Sequence, residues 1–91
     1  MFLHLGQYTV VSTEQILGIF DLDNTTLSKH TRNCLAKAER DGKIVNVSSE
    51  LPKSFVICQE KGGEEKIYLS QLSVATLLKR LETGGFRPSD I

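Results

Sequence analysis

Two carboxylates one residue apart, in Ile19-Phe20-Asp21-Leu22-Asp23-Asn24-Thr25, are the residues of this chain whose types and spacing point most directly to a reaction. At the end of an apolar strand such a pair can supply a nucleophile and a general acid/base for phosphoryl transfer, and can share a Mg²⁺ ion. The same chemistry needs a cation to neutralise the transferring group, further carboxylates for the metal, and enough sheet to bury the strand. Downstream of Leu27 the paired acids are Glu64-Glu65, which sit beside Gly62-Gly63 in a turn-like stretch.

The Asp-x-Asp-x-Thr spacing is similar to the entry motif of haloacid-dehalogenase-like phosphatases. Their doubly wound fold needs several more strand-helix units than 91 residues supply. Asp23-Asn24-Thr25 therefore reads as turn chemistry, and no catalytic residue is assigned. Cys34 and Cys58 lie in apolar patterns without Cys-x-x-Cys spacing, which predicts two buried free thiols suited to a reducing compartment. His4 sits among apolar strand neighbours as a structural histidine, and His30 is expected to be exposed. With two histidines far apart and no acidic cluster, neither a metal site nor a cofactor is expected.

Apolar residues make up 40% of the chain and charged residues 24%, the balance of a folded globular domain. Eleven basic and eleven acidic residues cancel. Bulk charge thus selects no nucleic-acid partner, and any such role depends on how the cations are distributed. No apolar run reaches the roughly 20 residues a bilayer requires. Met1-Phe2-Leu3-His4 lacks the charged start of a secretion signal. The expectation is a cytoplasmic, non-enzymatic protein with no membrane partner and no small-molecule substrate.

The elements that would position functional side chains can be read in order. Phe2 to Leu5 and Tyr8 to Val11, separated by Gly6-Gln7, predict a β-hairpin. Ser12-Thr13-Glu14-Gln15 has capping-box spacing and predicts one helical turn before a strand from Ile16 to Asp21 or Leu22. Ser28 is placed to cap a helix from Lys29 to Asp41, with Thr31, Cys34, Leu35 and Ala38 on its inner face and Gly42 as its stop. The outer face then carries Lys29, Arg32, Lys37 and Arg40, as a solvated face or as a phosphate-contacting one.

Lys43 to Val47 predicts a short strand, and Ser48 to Lys53 a loop enforced by Pro52. The runs Ser54 to Gln59 and Lys66 to Ser70 predict an antiparallel hairpin. Phe55-Val56-Ile57-Cys58 is apolar at four consecutive positions, so both faces of that strand require cover, from a second helix or from another subunit. A last helix is expected from Gln71 to Glu82, capped by Ser70 or Ser73, with Leu72, Ala75, Leu78 and Leu81 inward, Lys79-Arg80 complementing its dipole and Gly84-Gly85 ending it. Tyr8 and Tyr68 read as packing residues, with stacking on nucleic-acid bases as the alternative. The fold class is α+β: five or six short strands in a small, mostly antiparallel sheet with two main helices. Residues 1–83 form one domain, and 84–91 are expected to be a flexible tail.

Five blocks carry a family resemblance: Met-Phe-Leu-His-Leu-Gly at the start, Ile-Phe-Asp-Leu at 19–22, Glu-Leu-Pro-Lys-Ser-Phe-Val at 50–56, Ile-Tyr-Leu-Ser at 67–70 and Ala-Thr-Leu-Leu-Lys-Arg at 75–80. In that order, over residues 1 to about 81, they resemble the RemB-type branch of the bacterial RemA/RemB extracellular-matrix regulators. The resemblance implies a biofilm-matrix regulator that assembles into a ring-like homo-oligomer and binds double-stranded DNA through phosphate contacts repeated around the ring. Position by position, Arg32 alone matches a basic position of the family's helix; Lys53 and Lys43, the cations near the loop before the Ser54 strand, and Lys29 on the same helix are the further nucleic-acid candidates, and Phe55, Ile57 and Tyr68, on the apolar strands, are the candidates for the oligomer interface. RemA-type relatives carry an arginine pair where this chain has Leu51-Pro52, and another arginine near Gln15. The alternative is an interaction module of the same fold that binds a protein partner and has lost DNA binding.

Overall fold

The computed structural model describes residues 1–22 and 28–83. The strands are β1 (Phe2–Gly6), β2 (Thr9–Ser12), β3 (Ile16–Asp21), β4 (Ile44–Asn46), β5 (Ser54–Gln59) and β6 (Glu65–Ser70); the helices are α1 (Lys29–Arg40) and α2 (Val74–Glu82). The expected α+β composition is present, but the strands divide into a two-stranded hairpin and a four-stranded sheet of order β3-β5-β6-β4. Pairing is antiparallel except for β4 with β6.

Burial on both faces of β5 organises the three layers. Phe55 and Ile57 point to the α1 side, where they pack with Ala38, Leu35, Ile67 and Ile44. Val56 and Cys58 point to the other side, into a core shared with Leu3, Leu5 and Val11 of the hairpin and Leu77 of α2. The hairpin stands apart from the main sheet because Leu3, Leu5 and Val11 share one of its faces, and laying that face flat over β5 buries all three.

α1 begins where the hydroxyl of Ser28 accepts from the Thr31 amide at 3.1 Å. It ends in a Schellman arrangement: Gly42, at φ 70°, donates to Glu39 O and Lys43 donates to Ala38 O. The inner face is narrower than expected. Leu35 and Ala38 meet the sheet, whereas Cys34 is exposed at the helix flank, so only Cys58 is a buried thiol. α2 starts at Val74 rather than Gln71, because Ser73 accepts from the Thr76 amide at 3.2 Å. That start turns Leu77 into the core and leaves Ala75 exposed and Leu78 45% exposed. Ser12 precedes a three-residue 3-10 turn, Thr13–Gln15, without a capping side-chain bond; the Met1 carbonyl accepts from the Thr13 amide instead. Asp23 to Leu27 and the expected stop and tail at 84–91 lie outside the described residues.

Ser54 and Ser70, opposite each other on β5 and β6, are fully buried and fasten the layers. The Ser54 hydroxyl donates to Leu72 O at 2.8 Å. The Ser70 hydroxyl donates to Leu5 O at 2.6 Å and accepts from the Leu72 amide at 3.0 Å, tying the hairpin and the entry to α2 onto the sheet.

Ser70→Ala orphans two buried partners and is expected to cost about 2–4 kcal/mol in chemical denaturation, against within about 0.5 kcal/mol for Ser48→Ala in the surface loop. The thiols give a second test. Burial, aided by the Glu60 carboxylate, pushes Cys58 from 9.0 up to about 11. Between those values the unfolded chain loses this proton and the native chain keeps it, so this contribution to stability declines as pH rises from about 9 to 11. Native protein at pH 8 should take up one equivalent of iodoacetamide, at Cys34, and a second only after unfolding.

Candidate nucleic-acid interface

The ends of the strands sort the cations. Asp21, Ser54 and Ser70 lie side by side in register, and Asn46 pairs with Leu69, so β3 and β4 finish and β5 begins at one end of the sheet. Lys53 immediately precedes β5; its amide donates to Ser70 O at 2.8 Å and its carbonyl accepts from the Leu22 amide at 2.9 Å. The main chain is therefore fixed on both sides while the side chain is exposed. Leu22 in turn lines a shallow cleft with Arg32 and Leu35, which sets the first half of α1 at this end. Lys29, Arg32 and Lys53 are thereby brought to one end of the molecule, all exposed.

Lys43 is not with them. Its amide and carbonyl are taken by Ala38 O and the Ile67 amide at the far end of α1, where it shares a cleft of about 290 Å³ with Cys34, Lys37 and Ile57. A 12-residue helix separates the two groups by roughly 18 Å.

The charges along α1 divide by what helix electrostatics explains. Lys37 and Arg40 occupy the last turn, where they complement the negative end of the helix dipole. The first turn contains no acid, and Lys29 stands at its positive end. Cations there oppose the dipole. Helix stability accounts for one end of α1 and not for the other.

The residues expected to face a neighbouring subunit are placed inside the chain or at its flanks. Phe55 is 1% exposed, with its ring stacked on Phe20 at 4.9 Å, so α1 and β3 take up the face left open in the sequence. Ile57 is half-buried against the α1 cluster, and Tyr68 is half-buried against the hairpin core, where burial and Glu60 raise its phenol above the usual range. Arg80 does more than complement a dipole. It donates to His4 O at 2.9 Å and lies 3.3 Å from His4 Nδ1, bracing α2 against β1, while His4 Nε2 is 2.7 Å from Gln7 O. No periodicity in the sequence pairs residues 76 positions apart. Tyr8 is not a packing residue: it occupies the hairpin turn and is 99% exposed.

Asp21 closes β3, and Asp23, its partner in the phosphoryl-transfer reading, lies outside the described residues. Among the described residues, no group of three or more His, Cys, Asp or Glu could hold a metal ion, and no helix is long and apolar enough to cross a membrane.

A small three-layered α+β domain with cations gathered at one end has a match among known families. Residues 2–81 match the RemA-like family, described as extracellular matrix regulatory protein A-like, and the chain belongs to that family. It is 38% identical over 82 residues to extracellular matrix regulatory protein B of Bacillus subtilis strain 168, an alignment covering 90% of this chain and 91% of that protein.

Lys29→Glu places an acid at the positive end of α1 and is expected to raise stability by about 0.3–1 kcal/mol at low salt, an increment that shrinks as salt is added. Thermal melts of the two proteins across a salt series measure it.

Proposed function

We propose that this protein is a cytoplasmic, bacterial DNA-binding regulator of extracellular-matrix, or biofilm, genes, and that it acts as a ring-forming homo-oligomer without catalysing a reaction. The observation that carries the DNA contact is the pair Lys29 and Arg32 at the positive end of α1, whose first turn contains no acid, beside the exposed Lys53. Three side chains held toward solvent, two of them where helix electrostatics disfavours a cation, suit a polyanion whose phosphates supply the missing negative charge. Matrix regulation is supported by family membership and by the name of the Bacillus subtilis relative.

A subunit of zero net charge binds weakly by itself. Self-association repeats the cationic end along the duplex and sums contacts that are individually small. Lys43, at the other end of α1, adds a second phosphate-contacting position rather than enlarging the first. Recognition of this kind depends on backbone position and duplex shape more than on base edges.

The second reading is an interaction module that binds a protein partner. Leu51, 87% exposed in the loop before β5, favours it, because an apolar side chain stands where the family resemblance would place an arginine. Recovery of a partner from cell extract that survives nuclease treatment supports this reading over the first.

Fluorescence anisotropy with duplex DNA should show affinity that falls steeply from about 50 to 200 mM salt. Arg32→Ala and Lys53→Ala should each weaken binding across unrelated sequences and lower the salt slope by about 1. Absence of salt-dependent affinity near 50 mM removes the DNA reading.

A further inference from the structure

The four-stranded sheet ends in β3 on one side and β4 on the other, and the two edges differ. At β3 the ladder with β5 slips between Ile16 and Gly18, and such a bulge blunts an edge against further pairing. β4 keeps an unbroken register with β6, its partner among the described residues. The Lys43 carbonyl accepts from the Ile67 amide and the Val47 amide donates to Leu69 O, so the residues before and after β4 turn inward. Hydrogen-bonding direction alternates along a strand. Ile44 and Asn46 therefore direct their main-chain N–H and C=O groups away from the sheet.

α1 runs beside that open edge. Arg32, Leu35, Ala36 and Glu39 follow the i, i+3, i+4, i+7 spacing of one helix stripe, and all four line a cleft with Ile44. Two adjoining clefts, of about 330 and 240 Å³, have Glu39, Ile44 and Leu69 in common. They continue from Leu22 and Arg32 at one end to Gly42 and Asn46 at the other, and together form one groove between helix and edge. Its floor is aliphatic: Leu22, Leu35, Ile44 and Leu69 are half-buried at the α1-side core. Ala36 keeps the middle of the wall low, and Arg32 and Glu39 stand exposed on either side of it. Among the described residues neither forms an ion pair.

A helix beside an unpaired strand edge is a seat for an extended peptide, which adds as a further strand and drops alternate side chains into the groove. The dimensions select what fits. Arg32 and Glu39 lie on one 12-residue helix and are separated by about 10 Å along its axis. Three alternate residues of a strand span about 13 Å. An aliphatic side chain with an acid two residues to one side and a base two residues to the other thus meets the floor with its middle and the charges with its ends. The carboxylate pairs with Arg32 and the ammonium with Glu39.

We propose that the groove between α1 and β4 binds an extended segment of a partner protein that carries an acid, an aliphatic residue and a base at alternate positions. The acid draws Arg32 away from the cationic end, so partner and DNA compete for one side chain. The docking goes beyond the DNA-binding reading, whereas the competition rests on it.

Fluorescence anisotropy with two labelled heptapeptides, Thr-Asp-Thr-Ile-Thr-Lys-Thr and the same residues in reverse order, tests both directions of strand addition. One of them should bind saturably in the micromolar range. Circular dichroism and thermal melts first establish that the variants are folded. Asn46→Pro removes an outward N–H from the edge, leaves the β6 ladder intact, and should weaken binding about 10-fold or more. Glu39→Lys, at an exposed helix position, should weaken it about 3-fold and regain it with the peptide in which Glu replaces Lys; this charge swap carries the test alone should the proline unfold the edge. Saturating peptide should lower the affinity of the unaltered chain for duplex DNA several-fold at low salt, and leave that of Asn46→Pro unchanged. Binding of neither peptide, or equal binding by both variants, overturns the groove and leaves the DNA reading standing. DNA held undiminished by the peptide-saturated chain overturns the competition. Peptide bound by a chain without salt-dependent DNA affinity upholds the docking and removes the DNA reading. A smaller assembly of Asn46→Pro in light scattering means that a second copy covers this edge, and overturns the partner segment.

Discussion

The two-sided burial of β5 is the constraint from which the rest of the architecture follows. Four consecutive apolar residues on one strand cannot share a single core, because successive side chains point to opposite faces. Phe55 and Ile57 call for cover on one side of the sheet, and Val56 and Cys58 on the other. α1 meets the first demand and the hairpin with α2 the second. A chain of 91 residues therefore builds two small cores in place of one large one. Its helices are occupied mainly with covering the sheet, and what they leave to solvent is the margin available for function.

That margin explains why the cations of α1 stand where they do. The inner face uses little more than Leu35 and Ala38, which leaves most of the circumference free for charge. The last-turn cations complement the helix they belong to. Those at the first turn do not, and they are joined by Lys53 because β5 begins next to the start of α1. Strand order, not sequence proximity, assembles this group from two segments.

Local signals made much of the fold legible in the sequence. The hairpin of β1 and β2, the hairpin of β5 and β6, the Ser28 cap and the Gly42 stop each depend on a handful of neighbouring residues, and all four were readable from them. What depended on distant partners was not. Leu77 rather than Leu78 faces the core because α2 begins three residues later than its apolar spacing suggests, once Ser54 and Ser70 have engaged Leu72. Cys34 follows an apolar pattern but lines an open cleft beside Ile57 and Ile67 instead of entering the core. The bracing of β1 by Arg80, and the full exposure of Tyr8 and Leu51, come from the stacking of layers, which no short-range period encodes. The cationic set was legible as residue types on one helix and one loop. Its division into Lys29, Arg32 and Lys53 at one end and Lys43 at the other required the strand order.

The Ser70 hydroxyl and Leu5 carbonyl are 65 positions apart in the chain. Closing so long a loop carries a large entropic cost before any contact across it can reward the closure. The first strand is therefore fastened to the last one, β6, and the bond between them cannot form before both are in place. During synthesis the amino-terminal hairpin emerges long before its partner and has no independent core to hold it. A fragment lacking the hairpin would strip the cover from Val56, Cys58 and Leu77 while leaving the α1-side core its full set of residues, so the two cores are not equally exposed to loss of the first strands.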